Sequence, residues 1–183
     1  MNRTCLFAAL AVVTAMSAIS PDTADARPRP GGHARRFEAN KTFGLGLELG
    51  APFGLTGKYF YAADKAFDFG VGDIDYYYGD RYGLHIYADH LWHPMSLATT
   101  EPFELPFYIG VGLRLWDFNE NGPAPDPGYA LGVRVPIGIA FDFNDVPLDV
   151  FVQITPVLDF AFNYRDRAVF GVDGSVGIRY WFN

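Results

Sequence analysis

From Thr42 to Phe182 apolar residues alternate with small or polar ones, and that period of two constrains the fold more than any other feature. Phe43, Leu45, Leu47 and Leu49 alternate with Gly44, Gly46, Glu48 and Gly50. Phe107, Ile109, Val111, Leu113 and Leu115 alternate with Tyr108, Gly110, Gly112, Arg114 and Trp116. The same holds for Leu131–Phe141 against Gly132–Asp142, and for Val176, Ile178, Tyr180 and Phe182 against Ser175, Gly177, Arg179 and Trp181. Successive side chains of a strand point to opposite faces, whereas one helical face recurs about every 3.6 residues, so these runs are strands. Weaker runs supply the remainder, and eight strands are expected at 42–50, 53–63, 66–78, 82–92, 106–118, 128–143, 148–162 and 168–182. In 66–78 the apolar parity switches to Ile74, Tyr76 and Tyr78, which predicts a bulge near Gly72-Asp73. Pro136 and Pro156 predict bulges or strand ends, since proline cannot donate to a ladder. Turn residues mark the joints, and 93–105 and 117–127 read as the longer ones.

Half-buried strands can close into two opposite barrels, one with an apolar interior and one with an apolar exterior. The composition of the other face separates them. It is rich in Gly, Ala, Ser and Thr, with isolated charges at Glu48, Lys58, Asp68, Asp89, Arg114, Arg134, Asp142, Asp159 and Arg179. A water-facing strand gains nothing from repeated Gly, which costs ~0.5–1 kcal/mol relative to Ala. An eight-stranded interior is narrow enough to need it, and lone charges of both signs can pair there. The continuous Leu/Val/Ile/Phe/Tyr face suits lipid, and aromatics near the strand ends suit its interfaces. The expected class is therefore all-β: an eight-stranded antiparallel up-and-down transmembrane barrel over residues 42–183. In this reading the charges form a polar lumen network, and a salt-bridged plug is favoured over a narrow conducting path.

The remainder of the chain sets the compartment. Residues 1–26 carry Arg3, an apolar run from Leu6 to Ile19 and Ala24-Asp25-Ala26, the layout of a secretory signal peptide. Cys5, the single cysteine, lies inside it, so the mature chain is expected to hold no disulfide or thiolate site. Residues 27–41 form a Pro/Arg-rich arm without apolar period, expected to be an extended, solvated leader. Formal net charge is −7, and residues 41–183 hold nine basic and eighteen acidic side chains, which argues against nucleic acid as a partner.

Little in the sequence suggests catalysis. His93 and Ser96 are the nearest approach to a nucleophilic pair, but the spacing fits no His-x-Ser arrangement. His85 and His90 should face opposite ways on a strand, which argues against a metal cluster with His93. Asp73, Asp75 and Asp80 lack calcium-loop spacing. No catalytic residue, cofactor or metal is expected.

At the C-terminus Ser175, Gly177, Tyr180 and Phe182 resemble the insertion signal of bacterial outer-membrane proteins, with Asn183 departing from a closing aromatic. Gly44–Leu49 and Gly110–Leu115 repeat a G-[LV]-G-L-x-L segment. With these motifs Thr42–Phe182 resembles the small eight-stranded outer-membrane barrels of the OmpA transmembrane-domain and OmpX type, and most of all a family of uncharacterised small barrels with that repeat. The resemblance implies a Gram-negative outer-membrane location, outer-membrane lipid and the barrel-assembly machinery as partners, and short turns on the periplasmic side. The 117–127 loop would face outside the cell, toward an extracellular partner of unspecified identity. A structural or surface-interaction role is expected. The alternatives are a narrow porin-like channel for ions or small solutes and, less favoured, a lipid-modifying barrel enzyme.

Overall fold

The computed structural model describes residues 32–76, 81–120, 128–162 and 167–182; the signal-peptide expectation falls outside them. Its strands are β1 (Gly32–Arg35), β2 (Phe43–Gly50), β3 (Phe53–Ala62), β4 (Lys65–Tyr76), β5 (Arg81–Thr99), β6 (Phe103–Glu120), β7 (Gly128–Arg134), β8 (Ile137–Phe143), β9 (Leu148–Phe162) and β10 (Arg167–Phe182). All pairings are antiparallel. β2 to β6 pair in succession, and β10 pairs with both β9 and β2, so the sheet closes on itself.

β7 and β8 fill one place in this ring, since both lie between β6 and β9. The register is unbroken between them: Arg134 faces Gly112 and Val157, and three residues later Ile137 faces Ile109 and Ile154. The interruption falls at Pro136, which has no N–H, yet its carbonyl accepts from Gly110 N at 2.9 Å. Val135 N donates to Pro156 O at 2.9 Å, so the missing N–H of Pro156 is turned to the same gap. Pro156 itself lies within β9, with no break there. Nine segments thus make an eight-place, up-and-down antiparallel barrel, the expected class.

β2 begins and β10 ends at one end of the ring, here the terminus end; the 63–64, 100–102 and 144–147 turns share it. The far end carries the β2–β3 turn, where Gly50 takes φ 124°, and the connections 77–80, 121–127 and 163–166, which lie outside the described residues. Most of the expected 117–127 loop falls there too, since β6 continues to Glu120.

Three segments differ from the sequence expectation. β4 pairs with β5 without a slip from Lys65↔Trp92 to Tyr76↔Arg81, so there is no bulge at Gly72-Asp73. Ile74 keeps the inward parity of Asp68 and Gly70 and packs with Trp116, Ala130 and Ala161. Register shifts occur instead in β5, between Trp92 and Met95 and between Ser96 and Thr99, and they turn His93 and Ser96 both inward although the two stand an odd number of positions apart. Second, 93–105 is not a long joint, because β5 runs to Thr99 and β6 resumes at Phe103. Third, the arm is not a solvated leader from residue 32 onward. β1 pairs with β5 through Gly32↔Thr99 and Arg35↔Ser96, and Phe37 is 1% exposed.

Candidate functional site

Alternation places two chemistries on the two sides of one wall. Leu47, Leu55, Leu113, Leu115, Ile154 and Val172 point outward and are each more than half exposed. All nine charges anticipated for the lumen lie inward and are buried: Glu48, Lys58, Asp68, Asp89, Arg114, Arg134, Asp142, Asp159 and Arg179. The distribution is inverted relative to a water-soluble protein, where charged side chains are almost never fully buried and large apolar patches are rare.

The buried charges are brought together as cross-lumen clamps. Arg114 of β6 reaches over β7 to Asp159 of β9, with both Nε and Nη2 engaged, and its Nη1 donates to Asp173 of β10 at 2.5 Å. Arg179 of β10 donates to Asp68 of β4 at 2.7 Å and to Asp149 of β9 at 3.2 Å, with its guanidinium 4.0 Å from the Phe151 ring centre. Arg134 of β7 stands 3.1 Å from Asp89 of β5 and 3.9 Å from the Tyr87 ring centre. Between them Glu48 of β2 accepts from Ser175 Oγ at 2.5 Å, Gln153 Nε2 at 3.0 Å and Tyr87 Oη at 2.6 Å. Lys58 lies 4.5 Å from the centre of the Tyr108 ring. An arginine fork matches a carboxylate bidentately and stacks on aromatic faces, which suits it to this space better than lysine.

Asp149, Asp173, Gln153, Tyr87 and Lys41 belong to the same network and were not singled out in the sequence. For the first four the signal was present, since they share the inward parity of their strands. Lys41 lies in the aperiodic arm, where no such signal exists.

Four of the lumen glycines, Gly44, Gly70, Gly138 and Gly177, are covered by aromatic rings, whereas Gly46, Gly54 and Gly72 lie against neighbouring backbone. A Cβ on Gly70 would lie 2.4 Å from the Tyr87 ring, and one on Gly177 would lie 2.4 Å from Phe151. Large aromatic or guanidinium groups from one strand occupy the space that glycine leaves on another, as close packing of a narrow barrel demands.

Apolar clusters lie at either end of the charged layer. Phe60, Leu91, Tyr108, Phe151 and Trp181 pack with Phe37 toward the terminus end. Ile74, Trp116, Ala130 and Ala161 pack toward the far end. Trp116 and Trp181 are therefore internal, while Trp92 faces outward at 42% exposure.

The histidines separate as their parity requires. His85 and His93 face the lumen about 26 Å apart along β5, while His90 is outside, bonded to Tyr61 Oη at 2.5 Å. Ser96 is hydrogen-bonded to Glu104, and the His93 ring packs among Phe37, Phe60 and Tyr108, with centroids at 5.2, 4.9 and 5.5 Å. Asp73 is exposed, while the side chains of Asp75 and Asp80 lie outside the described set. In the C-terminal motif, Ser175 and Gly177 face the lumen and Tyr180 and Phe182 face outward.

No family model matches the chain, and no curated protein matches it in sequence. Among solved structures it is similar to the N-terminal β-barrel domain of Pseudomonas aeruginosa OprF, with a TM-score of 0.57 and 13% identity over 84% of this chain and 100% of that one. At such identity the likeness speaks to the fold alone: this chain is built as a small antiparallel β-barrel.

Proposed function

We propose that the chain is an outer-membrane barrel with a structural or surface-interaction role, holding its far-end loops outside the cell. One observation carries this reading: the wall is apolar outside and its charges are clamped inside. A closed ring pairs its strand N–H and C=O groups internally, the condition for a β structure in hydrocarbon. Among the described residues the ladder is interrupted at Pro136 and lacks the N–H of Pro156. β3 to β6, β9, β10 and the joined β7–β8 place meet the ~9–11 residues needed to cross, and β2, with eight, falls just short. Among the described residues no helix is long and apolar enough to cross a membrane; in this reading the strands cross.

The partners in this reading are outer-membrane lipid around the wall and the barrel-assembly machinery acting on the C-terminal motif. Export through residues 1–26 is part of the same proposal. The reading assigns no catalysis: Ser96 is engaged by Glu104, and His93 is enclosed by rings. Apolar packing at both ends of the lumen supports a plugged interior over an open path.

The test is membrane fractionation combined with electrophoresis of unheated and heated samples. Sedimentation with outer membranes, faster migration of the unheated band and cleavage of the 117–127 loop by external protease are the expected results. A detergent-free, soluble monomer would overturn the proposal, and sizeable conductance in planar bilayers would replace the structural role with the channel alternative.

A further inference from the structure

The terminus-end mouth of the barrel is filled by the chain's own arm. β4 starts at Lys65, opposite Trp92, so the β5 edge beyond that point is left unpaired by β4, and β1 takes it. From there the arm follows the β3–β4 turn, where Ala39 N donates to Ala63 O at 2.7 Å and Arg36 lies 3.9 Å from Asp64. Phe37 drops inward, its ring centre 5.7 Å from Phe60 and 5.2 Å from His93. Lys41 then reaches across the mouth to β8, pairing with Asp142 and donating to Phe143 O at 2.7 Å. Thr42 O accepts from Phe60 N at 2.8 Å, and the chain enters β2.

We propose that residues 32–41 are an intramolecular plug that closes the lumen at the terminus end, with Phe37 as the stopper and Lys41 as the latch. The proposal rests on the barrel reading above and adds a closure to it. Phe37 completes an aromatic cluster whose other members all come from the barrel wall, so its departure would open those ring faces to water. Lys41 neutralises Asp142, a carboxylate that faces the mouth. The named attachments are one short strand, the Phe37 ring with Ala39 packed beside it, the Ala39–Ala63 backbone bond and the bonds of Lys41 to Asp142 and Phe143, together with an exposed contact between Arg36 and Asp64 that contributes little. Segments held by so few buried contacts open locally at much lower free energy than the body they cover. The tether keeps the arm at high effective concentration, so reseating needs no partner. The plug is therefore a reversible closure, and Ser96, fully buried and opposite Arg35 in the β1–β5 ladder, lies at the mouth that the arm occupies.

The test is single-cysteine labelling of the full chain in a Cys5→Ser background, which removes the one native thiol. Ser96→Cys reports on the terminus end. Ala130→Cys, in the far-end apolar cluster, is the control. A membrane-impermeant maleimide is applied in detergent micelles, and only the unheated, fast-migrating folded band is scored. With the arm intact both positions should label slowly. Adding Phe37→Ala with Lys41→Ala should speed labelling at position 96 by about tenfold or more and leave position 130 unchanged. Fast labelling at 96 with the arm intact would overturn the plug, as would continued protection once both side chains are removed. Equal acceleration at both positions would mean general loosening and would also overturn it. Phe37→Ser alone serves as the milder variant; if neither variant yields a folded band, the arm is an integral part of the barrel and not a closure. Absence of a folded band in the parent protein would instead defeat the barrel reading itself.

Discussion

Leu113 points out of β6 and is 55% exposed, whereas Arg114, next in the chain, points inward at 1% and is held by Asp159 and Asp173. The outer wall asks of Leu113 only that it be apolar. The lumen asks of Arg114 a particular length, charge and fork, because carboxylates from two other strands converge on it. One wall therefore tolerates exchange among hydrophobic residues while the other is a set of mutually dependent partners. Sequence freedom should differ on the two faces of the same strand.

The sharpest way to break that contrast is Arg114→Ala. It strands Asp159 and Asp173 in the interior and should destabilise the barrel by about 3–5 kcal/mol, read by urea unfolding in lipid vesicles. Adding Asp159→Asn and Asp173→Asn should recover part of the loss; no recovery would mean the arginine acts through packing alone. Next comes Leu113→Arg, the same residue type moved one position to the outer face. It should lose about 2–4 kcal/mol if that position lies at the hydrocarbon midplane, and near nothing if the wall faces water. Gly177→Ala pushes a methyl into the Phe151 ring and against the Leu47 carbonyl and should cost about 1–3 kcal/mol, with Phe151→Leu in the same chain relieving only the ring's share. Smallest of all is Leu113→Ile, expected within about 0.5 kcal/mol by the same unfolding measurement. If it rivals Gly177→Ala, the outer wall is itself a packed interface.

The same contrast explains what was legible in the sequence. Inward and outward sets along β2, β6, β9 and β10 follow directly from parity, because a barrel wall has only two sides. Which inward charges meet is a different matter. Arg114 finds Asp159 and Asp173 across the lumen, and that depends on the stagger with which the ring closes, which no local pattern encodes. The parity switch expected at Ile74 rests on Tyr76 and Tyr78, which extend an apolar series in sequence, whereas β4 keeps one parity through Ile74 because Ile74 fills the far-end cluster. The stretch 93–105 breaks the period of two and so reads as a joint, although two bulges carry β5 through it to Thr99. Phe37 and Lys41 gave no periodic signal at all, since their positions are set by the socket they enter.

The placement of the tryptophans has a practical corollary. One indole stands at each end of the lumen, Trp181 behind the arm and Trp116 at the far end, and the third, Trp92, faces outward. Three single-tryptophan variants would thus convert the molecule into three local fluorophores. Brominated acyl chains should quench Trp92 selectively, aqueous quenchers should reach Trp181 only when the arm lifts, and Trp116 should stay unquenched by both. Bilayer contact, arm motion and far-end integrity could then be followed optically in one intact protein, without any attached dye.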